Sequence, residues 1–162
     1  YLPIKAGSDI DFFNLLSKKI IDNNLVDIEY VNKNINGFEL LKNKFKNVDV
    51  DKMLKRTGLS LKQFEDFWNL YKNSENIITA WTMGLNQSVQ GVDKNLSVIN
   101  THLLTGKIFK KGNGPLSLTG QPNAMGGREV GGLSTMLAVH LGFDKENVKK
   151  VSEFWKSENV FR

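Results

Sequence analysis

The chain has 162 residues, of which 40% are hydrophobic and 24% charged, and its formal net charge is +5. This length suits one domain or a piece of a larger one, and the composition is that of an ordinary globular protein. The sequence has no cysteine, which excludes disulfides, thiolate nucleophiles and cysteine metal ligands within it. No apolar run approaches the roughly 18–20 residues that cross a membrane.

The first elements are predicted from the N-terminal 24 residues. Tyr1–Ile4 is predicted to end a strand that leads into a tight turn at Gly7. Ser8 followed by Asp11 predicts a capping box at the start of a helix. That helix runs about four turns to Asn23, because apolar residues recur at helical spacing, namely Ile10, Phe13, Leu16 and Ile20.

Two short helices are predicted over residues 27–34 and 37–45, followed by a helix-turn-helix. The latter consists of Val50–Arg56, a turn at Gly58, and Ser60–Tyr71. Such an arrangement binds DNA in some proteins. Here the first turns of the second helix carry the acidic residues Glu65 and Asp66 where a recognition helix would meet DNA, so a packing element is favoured over a nucleic-acid-binding module.

The second half is predicted to begin with a short buried strand at Ile77–Trp81. A helix then runs from about Val92 to Leu104, and residues 106–128 form one long loop. Val130–Leu141 and Asp144–Trp155 are predicted to be two closing helices. Strand, turn and helix units of this kind predict an α/β fold with a parallel sheet, which is helix-rich here.

The segment from Gly120 to Gly132 holds five of the fourteen glycines and one of three arginines. Each glycine inside a helix or strand costs about 1 kcal/mol relative to alanine, so a loop is predicted. Arg128 in this loop offers a planar charged fork that suits an oxyanion. A salt bridge with Glu129 explains the same residue equally well from the sequence alone.

Two other segments are candidates for ligand binding. A glycine turn before a helix N-terminus, as at Gly7, Ser8 and Asp9, is a pattern of dinucleotide sites. A carboxylate there can accept from both N1–H and N2–H2 of guanine. The residues alone favour a plainer interpretation, in which Ser8 caps the helix and Asp9 favours its dipole. Met83 and Gln87 form the other candidate, with a buried methionine as the alternative.

No metal site is predicted, because neither His102 nor His140 has an acidic residue at ligand spacing. Both histidines lie on predicted amphipathic helices, where a structural or solvent-facing role is usual. The tryptophans are expected to be core or interdomain aromatics, at Trp68, Trp81 and Trp155.

Several long motifs in register resemble the catalytic subunit of prokaryotic nitrate reductases, most closely the assimilatory type. These enzymes belong to the molybdopterin guanine dinucleotide oxidoreductases, the dimethyl sulfoxide reductase family. The resemblance begins at Ile4–Asp9 and Gly37–Glu39. It continues through Trp81–Ser88, Leu103–Ile108 and Gly114–Gly131. Tyr1 is not typical of a natural start, so residues 1–162 are expected to be one internal fragment of a doubly wound cofactor-binding region, without the iron–sulfur and C-terminal cofactor domains.

The resemblance implies roles for individual residues. Its cofactor would be molybdenum-bis(molybdopterin guanine dinucleotide), held in part by Gly7, Ser8, Asp9, Met83 and Gln87. The same resemblance implies that Gln121 and Arg128 act on nitrate as catalytic residues, with Arg128 orienting the anion near the metal. Thr119 stands where formate dehydrogenases of the family tend to carry an arginine, which favours nitrate over formate as the substrate.

The resemblance also implies what lies outside this sequence. An iron–sulfur cluster would belong to the parent protein and not to these residues. The remaining domains and an electron donor protein or reductase subunit would be partners, in the cytoplasm. The fragment alone is expected to be inactive. Formate oxidation on the same scaffold, or a noncatalytic basic nucleic-acid-binding module, are the alternatives.

Overall fold

A computed structural model describes residues 1–131 and 136–160 of the chain. The chain divides into two compact units, Tyr1–Leu118 and Thr119–Arg162. In the described part, none of the helices has the length and apolarity that crossing a membrane requires.

The first unit contains seven helices and two strands among the described residues. They are α1 (Asp9–Asp22), α2 (Ile28–Asn34), α3 (Phe38–Lys46), α4 (Val50–Thr57), α5 (Leu61–Lys72), β1 (Ile78–Trp81), α6 (Met83–Asn86), α7 (Gly91–Leu104) and β2 (Gly114–Ser117). The second unit contains α8 (Ala124–Glu129), a 3-10 helix (Ala138–His140) and α9 (Lys145–Trp155).

Helix α1 is the centre of the first unit, where it packs on α7 and α4. Its apolar residues, which are spaced three or four apart and so lie on one face, contribute to two clusters of buried side chains. The first cluster contains Phe12, Leu15, Met53, Leu54, Leu59 and Phe64. The second contains Leu16, Ile20, Trp68, Tyr71 and Leu104. The helices predicted over residues 10–23, 27–34, 37–45, 50–56 and 60–71 are confirmed.

The two strands form a parallel pair, in which Ile78 aligns with Gly114 and Trp81 with Ser117. A parallel pair requires a crossover between its strands, and α7 lies within that crossover. The prediction of a helix-rich α/β fold with parallel strands is therefore confirmed. Strand β1 is less buried than predicted, because Ile78 is 57% exposed and only Trp81 is buried.

Three predictions for residues 1–128 are wrong. Tyr1–Ile4 is not a strand, and the next residue is held instead by a bond from the Lys5 amide to the Thr57 carbonyl, 2.9 Å long. Ser8 and Asp11 form no capping box. The Ser8 hydroxyl donates to the Lys5 carbonyl, and Asp11 accepts from a guanidinium. Residues 106–128 are not one irregular loop, because β2 and part of α8 lie within them.

The second unit corrects the prediction for the glycine-rich segment. Residues 124–129 are helical although they include Gly126 and Gly127, and the Gly127 amide donates to the Asn123 carbonyl over 2.9 Å. The prediction of a helix over Val130–Leu141 is also wrong for the described residues of that range. Val130 ends α8, and Val139 has a left-handed φ of 57°. Residues 132–135 of that prediction lie outside the described part.

The last helix is confirmed. Asp144 caps α9 by accepting from the Asn147 amide over 3.1 Å. Trp155 at its end is 45% exposed, so it is not a core residue of the unit. Trp68 and Trp81 are buried as predicted.

Candidate functional site

The turn before α1 is fixed by its own backbone and by Ser8. Gly7 has a φ of 81°, a conformation that favours glycine, and open space surrounds the position of a Cβ there. The buried Ser8 hydroxyl donates to the Lys5 carbonyl over 2.6 Å. Its proton is therefore used inside the turn, and only its oxygen lone pairs remain for a ligand.

Asp9, the first residue of α1, forms an ion pair with Lys94 in the first turn of α7. The Asp9 Oδ2 and Lys94 Nζ atoms are 2.8 Å apart, and the two side chains are 17% and 6% exposed. Both the burial of an ammonium and its position at a helix N-terminus are unfavourable. The carboxylate offsets both effects, so the pair ties α1 to α7.

A basic cleft opens beside this turn. The cleft has a volume of about 650 Å³ and is lined by Lys5, Ala6, Gly7, Ser8, Asp11, Lys52, Lys55 and Arg56. Its one carboxylate is neutralised, since the Arg56 Nε donates to Asp11 over 2.9 Å. That hydrogen bond raises the pKa of Arg56.

The three lysines of the basic cleft, Lys5, Lys52 and Lys55, form no ion pair within the described residues. Lys5 is nevertheless held in place, because its side chain lies across Gly58. A Cβ at Gly58 would come within 2.9 Å of its Cγ. The cleft therefore carries net positive charge and suits an anionic ligand.

Met83 and Gln87 lie at the two ends of α6, and both side chains are exposed. The alternative of a buried methionine is wrong, since Met83 is 62% exposed. Helix α6 lies just beyond the carboxyl end of β1. Asn86 ties it to the end of β2 through the Ser117 hydroxyl, 3.1 Å away. Ligands of open α/β sheets bind at this edge.

The first turn of α7 joins these two segments. Gly91 allows the close approach of α6, because a Cβ there would lie 2.5 Å from the Asn86 carbonyl oxygen. Lys94 reaches Asp9 from the same turn. Sequence reasoning missed both residues. The signal was Lys94 itself, a lysine in line with the buried positions Val98 and Thr101 of α7.

Gln121 and Arg128 belong to the second unit, and both are exposed there. Arg128 lies in the last turn of α8. The alternative of a salt bridge between Arg128 and Glu129 is not seen, because Glu129 pairs with His140 Nε2 at 2.9 Å. In the described ranges Arg128 has no acidic partner within ion-pair distance.

His102 is a structural residue. It is fully buried, and its Nε2 lies 2.9 Å from the Thr79 hydroxyl while its Nδ1 lies 3.2 Å from the Lys107 carbonyl. Burial lowers the pKa of His102. Across residues 1–131 and 136–160, no three His, Asp or Glu side chains form a group that could hold a metal ion.

Comparison with known proteins gives relatives but no matching family model. The chain is 39% identical over 99% of its length to a protein named nitrate reductase from Shewanella frigidimarina. It is 49% identical over 69% of its length to a nitrate reductase of Klebsiella oxytoca. A nitrate reductase of Synechocystis is 38% identical over 96% of the chain. The chain spans 17%, 13% and 22% of these relatives, respectively. It is thus similar, across nearly its whole length, to a segment of proteins named nitrate reductase.

Proposed function

We propose that the chain is part of an enzyme that reduces nitrate to nitrite. The observation that carries this proposal is the comparison in which the chain is 39% identical, over 99% of its length, to a protein named nitrate reductase. Nitrate reduction consumes two electrons and two protons, and one nitrate oxygen leaves as water. The protein must therefore bind an oxyanion beside a redox centre.

The redox centre in this proposal is molybdenum-bis(molybdopterin guanine dinucleotide), whose metal accepts the oxygen atom of nitrate when the cofactor is bound. The residues of the first unit fit the nucleotide end of such a group. Gly7 provides an open left-handed turn, Asp9 provides a partly exposed carboxylate, and the basic cleft provides positive charge. Met83 and Gln87 would contact the cofactor from the carboxyl end of the sheet.

Arg128 and Gln121 would act on the substrate. Because Arg128 has no acidic partner in the described part of the chain, its fork remains available for a planar anion. Nitrate presents two oxygens at the spacing that a guanidinium matches, which a lysine ammonium does not. The Gln121 amide would orient nitrate without adding charge.

The rest of the proposal concerns parts beyond these residues. The iron–sulfur cluster and the remaining cofactor domains would be supplied by the same polypeptide, and electrons by a donor protein or reductase subunit. The chain alone would then be inactive, and a cytoplasmic location would follow from the assimilatory type. Helix α5 offers little to DNA, because Phe64, Trp68 and Tyr71 face the core and Lys62 pairs with Asp66.

The test is viologen-coupled nitrate reduction by the full polypeptide that carries this chain, with formate oxidation measured alongside. We expect Arg128→Lys to lower kcat/KM for nitrate by about 10- to 100-fold, the scale of one bidentate or oxyanion contact. Lys149→Met, which changes an exposed cation on α9, is the control. Formate turnover without nitrate turnover would overturn the proposal that nitrate is the substrate. An Arg128→Lys enzyme with unchanged KM and kcat would overturn the proposal that Arg128 acts on nitrate.

A further inference from the structure

Lys94 is a costly residue at its position. Its side chain is 6% exposed and lies in the first turn of a fourteen-residue helix, where the helix dipole disfavours a cation. An ammonium has three donors, and Asp9 Oδ2 is its only ion-pair partner in the described ranges. A methionine of similar length would fill the same space without these costs.

The partner carboxylate is anchored on one side and open on the other. Oδ2 of Asp9 faces the ammonium at 2.8 Å, and the side chain keeps 17% of its surface exposed. Among the described residues, Asp9 Oδ1 takes part in no hydrogen bond or ion pair. The pair thus places an unpartnered acceptor, Asp9 Oδ1, beside an ammonium that has further donors, at the start of α1.

This order of groups matches one edge of guanine. The edge carries the acceptor O6, then the donor N1–H, then the donor N2–H2. When N1–H donates to Asp9, the ammonium must lie on the O6 side, because on the other side it would face the N2–H2 donors. Adenine offers a donor in place of O6 and would meet the ammonium with like polarity.

We propose that Lys94 is a specificity-determining residue of the nucleotide site, which holds the Asp9 carboxylate and accepts only a purine with an acceptor at position 6. This inference rests on the proposed function, in which Asp9 binds the guanine of the cofactor. Asp9 reads the two donors, and Lys94 reads O6. The two residues together therefore make the site selective for guanine, a task that a lone carboxylate performs less completely.

The experiment measures the binding of guanosine 5′-monophosphate to the cofactor-free full polypeptide by calorimetry. Two analogues separate the two residues. The 6-thio analogue keeps N1–H and N2–H2 but replaces O6 with sulfur, a weak acceptor. Inosine 5′-monophosphate keeps O6 and N1–H but lacks N2–H2. The ratio of Kd for each analogue to Kd for the guanine nucleotide reports on one contact.

We expect wild type to prefer the guanine nucleotide over its 6-thio analogue by about tenfold, the scale of one charged hydrogen bond. In Lys94→Met this ratio should fall to about one, while preference over the inosine nucleotide persists. Lys94→Arg should restore the 6-thio ratio. Lys18→Met, which breaks an ion pair elsewhere on α1, should change neither ratio.

The outcomes separate this inference from the function on which it rests. If Lys94 only ties α1 to α7, Lys94→Met will weaken all three nucleotides equally and leave the 6-thio ratio unchanged, which overturns the inference alone. If wild type shows no preference for the guanine nucleotide over the inosine nucleotide, the guanine role of Asp9 fails as well. Thermal unfolding of each variant checks that the fold is retained.

Discussion

The Asp9–Lys94 pair should respond asymmetrically to the loss of each partner. Asp9→Ala leaves an ammonium with 6% exposure and no carboxylate, so local stability should fall by about 3 kcal/mol, the scale of a broken buried pair. Lys94→Met leaves a carboxylate with 17% exposure at the N-terminus of α1. Water and the helix dipole stabilise that charge, so the loss should be smaller, about 1 kcal/mol.

The double variant distinguishes a coupled pair from two separate residues. Asp9→Ala with Lys94→Met removes both charges, and its cost should be at least about 1 kcal/mol below the sum of the single costs. Hydrogen exchange of α1 and α7 amides in the full polypeptide measures these local free energies. Additive costs, or equal costs for the two single variants, would refute the reasoning.

The remaining predictions concern other positions. Burial lowers the pKa of His102, so folding favours its neutral form. The contribution of His102 to the stability of this region should be fully present above a pH of about 6.5, the pKa of histidine in the unfolded chain. It should be lost as the pH falls below that value, at no more than about 1.4 kcal/mol per pH unit. His102→Gln should flatten this pH dependence, as measured by hydrogen exchange corrected for intrinsic rates. Gly91→Ala should destabilise α7 by about 1–3 kcal/mol, because its Cβ would lie 2.5 Å from a backbone oxygen of α6. Gly84→Ala, with open space around it, is the control and should cost nothing in urea unfolding. Gly127→Ala should stabilise α8 by about 1 kcal/mol, since nothing lies within 4 Å of the new Cβ. A loss of nitrate turnover in that variant would indicate that a ligand approaches the backbone there, and retained turnover would oppose this.

The helices of the first unit could be predicted because their local signals agree with one another. In α5, the capping box of Ser60 and Gln63 and the apolar spacing of Phe64, Trp68 and Tyr71 specify the same start and the same buried face. Asp27 and Asp49 likewise cap α2 and α4. Where caps and periodicity coincide, tertiary contacts only strengthen a local preference.

The predictions failed where one contact outside the local segment decides the structure. Asp11 is at the right spacing from Ser8 for a capping box, but Arg56, 45 residues away along the chain, takes its carboxylate. Strand β2 could not be predicted, because Gly114 and Pro115 oppose a strand until β1 supplies a parallel partner. The free-energy penalty of placing two glycines in α8 is smaller than the stabilisation from the backbone hydrogen bonds of that helix.

In the candidate site, too, local patterns could be predicted and distant contacts could not. Gly7, Ser8 and Asp9 were candidates from a local pattern that the family resemblance favoured as a ligand site. Lys94, the partner of Asp9, is 85 positions further along the chain, a distance that no local pattern covers. Residues that break local rules without a packing reason mark functional sites more often than other positions. Lys94 breaks two rules, since it buries a charge and opposes a helix dipole, and a sequence-level search for such conflicts would have found it. The guanine role of Asp9 was inferred from resemblance, but the need for a carboxylate beside Lys94 follows from the burial of its ammonium.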